Sequence, residues 1–178
     1  MKKSILIIKS LFLVVALSIF SCNTDDGIKC PDALTGELSA AETQFSGYWK
    51  LVAMEADEAI DLTDDNADNP STDLFAQYNA CDRDLEYNFM NDRNLVYRQG
   101  YSAVDCANKL TFSGTWNLIG NDLTLVANCA SQRITIETNA EGDQYSYDVT
   151  LQFRDVNGAQ KTSKVKFTFE KMVDEQPV

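Results

Sequence analysis

The chain reads as an all-β protein: an eight-stranded antiparallel up-and-down barrel with one short helix. Three observations predict this. From Ser46 onward apolar and polar residues alternate with period two, as half-buried antiparallel strands require. Short turn signals separate the alternating runs, the strongest being Asn157-Gly158. No long amphipathic helix pattern competes with them. Closing a meander of eight strands into a barrel also removes exposed edges, which an open two-sheet sandwich, the second architecture compatible with the pattern, does not.

The elements follow in order. Trp49, Leu51 and Ala53 share one face of the first strand, with Lys50 opposite. Leu85, Tyr87 and Phe89 make the second, and a turn at Asn91-Asp92-Arg93 leads to Leu95 and Tyr97 in the third. The fourth is the clearest: Leu110, Phe112, Gly114, Trp116 and Leu118 alternate with Thr111, Ser113, Thr115 and Asn117. Gly120-Asn121-Asp122 turns the chain into Leu123 and Leu125, and Ile134 with Ile136 marks the sixth strand. Tyr145, Tyr147, Val149, Leu151 and Phe153 form one row of the seventh, and Val165, Phe167 and Phe169 one row of the eighth. Between the first two strands, from Asp57 to Arg83, the helical spacing of Leu74, Phe75 and Tyr78 predicts the short helix. Trp49, Trp116, Tyr87, Tyr97, Phe112, Tyr145 and Tyr147 are the candidate interior residues. Aromatics of this kind fill a small barrel as well as they line a ligand cavity.

Ahead of the barrel, Lys2 and Lys3 precede a mostly apolar run from Ile5 to Phe20, which ends at Ser21-Cys22. That layout predicts a secretory signal over residues 1–21 rather than a spanning helix. A Cys directly after a small residue resembles the lipobox of bacterial lipoproteins, which implies that Cys22 becomes the lipid-bearing first residue. Residues 22–44 then read as a polar, flexible tether, and 45–178 as the barrel domain. Asn23-Thr24-Asp25-Asp26 resembles the acidic signals that send lipoproteins of the Bacteroidetes to the outer face of the outer membrane.

The predicted signal carries three basic and no acidic residues, so the remaining 157 residues hold 12 basic against 27 acidic side chains, a net charge of −15. Such a surface repels phosphate backbones and argues against nucleic acid as a partner. The chain has no His, which removes the commonest general base and zinc ligand. With no nucleophile elbow and no phosphate-cradling Gly loop either, no enzymatic activity is expected. Beyond Cys22, four cysteines in an exported chain read as two disulfides with three possible pairings. The second and third strands form a hairpin turning near Asp92, which brings Cys81 and Cys106 together at its open end and leaves Cys30 to pair with Cys129.

Gly47-Tyr48-Trp49 resembles the GxW signature of lipocalins, in which the Trp plugs the closed end of the barrel. The wider stretch from Gly47 to Leu125 resembles the lipocalin-like domain of Bacteroidetes lipoproteins. The pieces that carry the likeness are Gly47-Tyr48-Trp49-Lys50-Leu51, Ser71-Thr72-Asp73-Leu74, Cys81 before Leu85-Glu86-Tyr87-Asn88-Phe89, Cys106, Gly114-Thr115-Trp116 and Gly120-Asn121-Asp122-Leu123-Thr124-Leu125. The resemblance implies a barrel that holds a small, mainly apolar ligand. Sequence spacing alone assigns no Arg to a place over Trp49.

The loop from Asp61 to Asp73 holds five Asp and two Asn. Calcium takes about six to eight oxygen ligands, and alternate positions of a flexible loop can converge on one ion. Asp61, Thr63 and Asp65, or Asp64, Asn66 and Asp68, are the candidate calcium ligands. The expected protein is thus a monomeric, lipid-anchored component of the outer membrane, exposed at the cell surface, that binds a small apolar ligand. The alternative is a filled barrel that meets a protein or glycan through its acidic loops.

Overall fold

A computed structural model describes residues 29–172. The signal segment, Cys22 and the acidic residues that follow it lie outside the described residues. Helix α1 (Ala40–Phe45) precedes strands β1 (Gly47–Ile60) and β2 (Ser71–Asp73), then helix α2 (Leu74–Gln77). Strands β3 (Leu85–Phe89), β4 (Asn94–Gln99), β5 (Leu110–Ile119), β6 (Asp122–Ala127), β7 (Ala130–Thr135), β8 (Glu137–Thr138), β9 (Gln144–Arg154) and β10 (Gln160–Met172) follow. The sheet order is β7-β6-β5-β4-β3-β1-β10-β9-β8, every pair antiparallel, with β2 added beside β1. Because β7 runs directly into β8 through Ile136, the two ends of this order are one bent stretch of chain. It pairs with β6 on one side and β9 on the other, and the sheet becomes a nearly closed barrel.

The strand count is therefore ten rather than the eight expected. The additions are β2, a short partner of β1, and β8, which the bend at Ile136 splits from β7. A second difference lies in β1. A bulge between Leu51 and Ala53 shifts the register against β10, so Met54 and Ala56, not Ala53, follow Leu51 into the core. The helical spacing around Leu74 does form a helix. It is a single turn capped by Asp73, and Leu74 is its buried residue.

The barrel has a closed end and an open one. At the closed end, α1 lies across the bottom, started by a capping box between Ser39 and Glu42. Phe45 packs within 4.9–6.0 Å, centroid to centroid, of Trp49, Phe89, Trp116 and Tyr145. Trp49 Nε1 donates to the carbonyl of Phe45 at 2.9 Å, and Trp116 Nε1 to that of Met90 at 3.1 Å. The cation over Trp49 is Lys171, its Nζ 5.6 Å from the ring centroid. The buried arginine at this end is Arg93. Its guanidinium forks onto Glu42, at 2.6 and 3.1 Å, and also donates to the carbonyls of Gly36, Glu37 and Trp116.

Residues within the stretch expected to be a tether lie against the outside of this barrel. Leu34 N–H donates to Thr115 Oγ1 at 2.9 Å, Arg93 holds the carbonyls of Gly36 and Glu37, and Cys30 is bonded to Cys129. Both disulfides join as the hairpin geometry requires, Cys81 to Cys106 and Cys30 to Cys129.

The hydrogen bond from Arg93, outweighing the opposing effect of burial, holds the Glu42 carboxyl down at about 2. A carboxylate with a lowered folded pKa stabilises the fold above its unfolded pKa and loses that contribution as pH falls through the folded one. Melting temperature is expected to drop between about pH 4.5 and 2, and Glu42→Gln should flatten that slope while lowering stability at neutral pH. Thermal melts across this range check both. The Cys30–Cys129 bridge spans 99 residues. In the entropic model a loop of that size is worth up to ~4–5 kcal/mol. The Cys30→Ala/Cys129→Ala pair is expected to lower the denaturation free energy by several kcal/mol, within that ceiling.

Candidate ligand opening

The open end is uneven, and the register shows why. The β5–β6 ladder starts only at Gly114↔Ala127, whereas β5 and β4 remain paired out to Leu110↔Gln99. The β4–β5 wall thus rises four residues, about 13 Å, above the turn between β6 and β7. Gly114 marks the point where β6 joins. A Cβ there would land on the carbonyl oxygen of Val126, and 2.8 Å from Ala127 Cβ. On the other side β9 continues to Arg154, paired with β10 alone beyond Ser146. A low lip at Asn128-Cys129 with tall walls on either side leaves an opening into the barrel between β7 and β9.

The inward face of that opening is apolar and incompletely covered. Tyr147, Val149 and Leu151 of β9, Phe112 of β5 and Ile134 of β7 all pack on the core yet stay half-buried. Isolated apolar side chains at a surface are ordinary; a row of them on the inner face of one barrel is a lining.

Below it sit the tyrosines. Tyr87 and Tyr97 face each other across β3 and β4, with centroids 5.1 Å apart. Tyr145 and Tyr147 stack along β9 against Phe169. Tyr97 donates to Gln99 Oε1 at 3.1 Å. Among the described residues, the hydroxyls of Tyr87, Tyr145 and Tyr147 have no protein partner. They are also not among the sealed polar atoms without one, which are Asp84 Oδ1 and Asn117 Oδ1. Tyr87 and Tyr147, both half-buried, border space that a water molecule can reach, whereas Tyr145 is buried in the packed layer below. A donor that has given up bulk water without finding a protein acceptor is costly, so an acceptor brought by a ligand or a bound water would be favoured there.

Of the expected interior residues, Trp49, Trp116 and Tyr145 are fully buried in the closed half. Tyr87, Tyr97, Phe112 and Tyr147 lie toward the opening. Val149, Leu151 and Ile134 belong to the lining as well. Period two puts them in these rows, but the gap that exposes them depends on where β6 stops, which the residues themselves do not signal. A separate groove of ≈ 210 Å³ lies outside the barrel between β8 and β9, lined by polar residues that include Glu137, Asn139, Gln144 and Thr168. It is smaller than usual ligand sites, which begin at about 300 Å³.

In the acidic loop expected to bind calcium, the carboxylates engage the loop itself. Asp61 accepts from the N–H groups of Thr63 and Asn69 and from the Thr63 hydroxyl, and Asp65 accepts from Ala67 N–H and the Asn69 amide. These carboxylates are turned onto the loop's own groups. Among the described residues no group of three acidic, Cys or His side chains converges on a point where a metal could sit. Asp64, Asn66 and Asp68 are exposed. No helix among the described residues is long and apolar enough to cross a membrane.

Burial pushes the phenol of Tyr87 up to about 12 and those of Tyr97, Tyr145 and Tyr147 well above 10, the neighbouring phenols adding to the effect for the last three. Unfolded tyrosines ionise near pH 10, so between pH 10 and 12 the unfolded chain binds fewer protons than the folded one. Stability is expected to fall as pH rises through this window. The phenolate absorbance of these four side chains should appear together with unfolding, and Tyr87→Phe should lessen the slope. Paired absorbance and circular dichroism titrations test this, and phenolate appearing well before unfolding would count against a closed tyrosine cluster.

No curated protein matches the chain. A family model described as Domain of unknown function (DUF5004) matches residues 23–171, and the chain belongs to that family.

Proposed function

We propose that this protein is a lipid-anchored component of the outer membrane, acylated at Cys22, whose lipocalin-like barrel binds a small, mainly apolar ligand through the opening between β7 and β9. The ligand would lie along Phe112, Val149 and Leu151 and present an acceptor to the phenols beneath. One observation carries this reading: two half-buried tyrosines with no protein partner for their hydroxyls, Tyr87 and Tyr147, border accessible space below a half-buried apolar lining. The role is binding, not catalysis, since a His-free chain whose interior is apolar and phenolic offers no activated nucleophile.

The filled half of the barrel favours a second reading, an interaction protein that contacts a protein or glycan through its acidic loops. Aromatic packing around Phe45 leaves no room at the closed end, so the two readings divide over the open half.

Native mass spectrometry of the purified chain separates them. A bound small molecule, released on denaturation and reduced in occupancy by Val149→Trp, is the expected result. A bare mass in every preparation, together with melting temperatures that no fatty acid or isoprenoid alters, would favour the filled barrel.

A further inference from the structure

We infer that the ligand opening faces the membrane, docked on the lipid headgroup layer through the loop between β4 and β5. The inference rests on the acylation of Cys22 and on the ligand reading proposed above, and goes on to assign an orientation and a source for the ligand. Its starting point is where the chain joins the barrel. Cys30 is bonded to Cys129, and Cys129 lies in the turn between β6 and β7, which is the low lip of the opening. Eight Cα–Cα steps separate Cys22 from Cys30. Fully extended, they reach at most about 29 Å. An acyl chain at Cys22 thus holds the lip within that distance of the bilayer.

The wall beside the lip carries a surface suited to that position. The β4–β5 loop and the first residue of β5 hold three of the large apolar side chains exposed on this protein: Val104, 83 % accessible, and Tyr101 in the loop, with Leu110 beside them. Tyr101 lies under two cations, Lys109 Nζ at 5.2 Å and the Arg98 guanidinium at 5.8 Å from its ring centroid. On a chain with net charge −12, a local pairing of Arg and Lys with exposed apolar residues stands out. An aromatic ring with flanking Lys and Arg is the composition that settles at a lipid–water interface, the ring among the headgroups and the cations on phosphate.

The loop is also fixed in place. Cys106 ties it to Cys81, and the buried Asp84 carboxylate accepts from the backbone N–H groups of Ser102 and Ala103 at 2.7 and 2.9 Å. Glu86 accepts from the Ser102 hydroxyl, and Lys50 sits 3.6 and 3.8 Å from the two acids. Val104 is therefore held outward by construction. With the anchor at the lip and the apolar loop on the adjoining wall, both features direct the opening toward the bilayer. The ligand class that follows is a membrane-soluble one, a lipid or lipid-like molecule that enters from the bilayer without crossing water.

Depth-dependent quenching tests the orientation. The native reporters Trp49 and Trp116 are fully buried, so a third Trp placed at the surface reports its own surroundings. The full-length acylated protein is reconstituted into phosphatidylcholine vesicles with brominated acyl chains, carrying either Val104→Trp or Ile119→Trp. Ile119 is 73 % accessible and lies at the closed end. Val104→Trp should shift to the blue and lose intensity to the brominated chains, while Ile119→Trp should do neither. Flotation of the same samples, with Cys22→Ala as the control, reads the anchor separately. If the protein floats but Val104→Trp goes unquenched, or both variants are quenched equally, the orientation is wrong although the anchor stands. If the protein does not float, the anchor is wrong and the inference falls with it.

Discussion

The fork between Arg93 and Glu42 is the interaction on which the architecture turns. Arg93 comes from the tight β3–β4 turn, with its backbone at φ 67°, and Glu42 from the helix beneath the barrel. A buried charge pair repays its desolvation only when its remaining hydrogen-bonding capacity is also used. Here it is: Glu42 also accepts from the N–H groups of Ser39 and Leu118, and all three guanidinium nitrogens of Arg93 donate to a carbonyl as well. One pair thereby fixes the N-terminal segment, the α1 lid, a hairpin turn and the end of β5. Removing either partner would strand the other in a dry site, so the lid and the closure of the barrel stand or fall together.

From that closure follows a division of labour between the two ends. The closed half holds the fully buried Trp49, Trp116, Phe89, Leu95, Leu123, Ile136, Tyr145 and Phe169, and gains its stability from packing. The open half has a short β6–β7 hairpin, a gap beside β9 and a lining that stays half-exposed. Packing at that end is one-sided, with Ile60, Leu74 and Val165 fully buried on the β1–β10 side. Two disulfides tie the remainder: one joins the long β1–β3 connection to the β4–β5 loop, and the other fastens the N-terminal segment to the low lip. A cross-link that restricts the unfolded chain adds stability without filling the space it spans. An opening can be kept that way, where additional core residues would have closed it.

Much of this was legible in the residues. Period-two runs located all eight strands of the expected meander, because each has one face on the core and one in solvent. The disulfide pairing followed because a hairpin brings its two ends together whatever else the chain does. What escaped the sequence has no local signature. The bulge after Leu51 inverts which of Ala53 and Met54 is buried, and nothing in Val52-Ala53-Met54 announces an extra residue in the ladder. Ile136 continues the alternation of Ile134, so the bend that splits β7 from β8 is silent in the pattern. Arg93 reads as a turn residue, since its partner lies 51 positions earlier. The self-bonding of the acidic loop is hidden for a related reason. Its composition suits a cation, but Asx-type bonds within the loop use the same carboxylate oxygens, and composition does not rank the two uses.

The same reasoning explains why the interior tyrosines divide as they do. All four lie on inward rows, so patterning treats them alike, and burial raises the phenol pKa of each. Their environments differ with height in the barrel. Tyr145 sits level with Trp49, at 4.9 Å between centroids, in the fully packed layer. Tyr147, one pleat higher, stacks on Phe167 at 5.5 Å but has no β7 neighbour at its side, because β7 has already turned away at Ile136. A single bend in one strand therefore sets where the core stops and the lining starts. Had β7 stayed paired with β9 beyond that point, Tyr147, Val149 and Leu151 would be ordinary core. The interior would then be a solid aromatic stack from one end to the other.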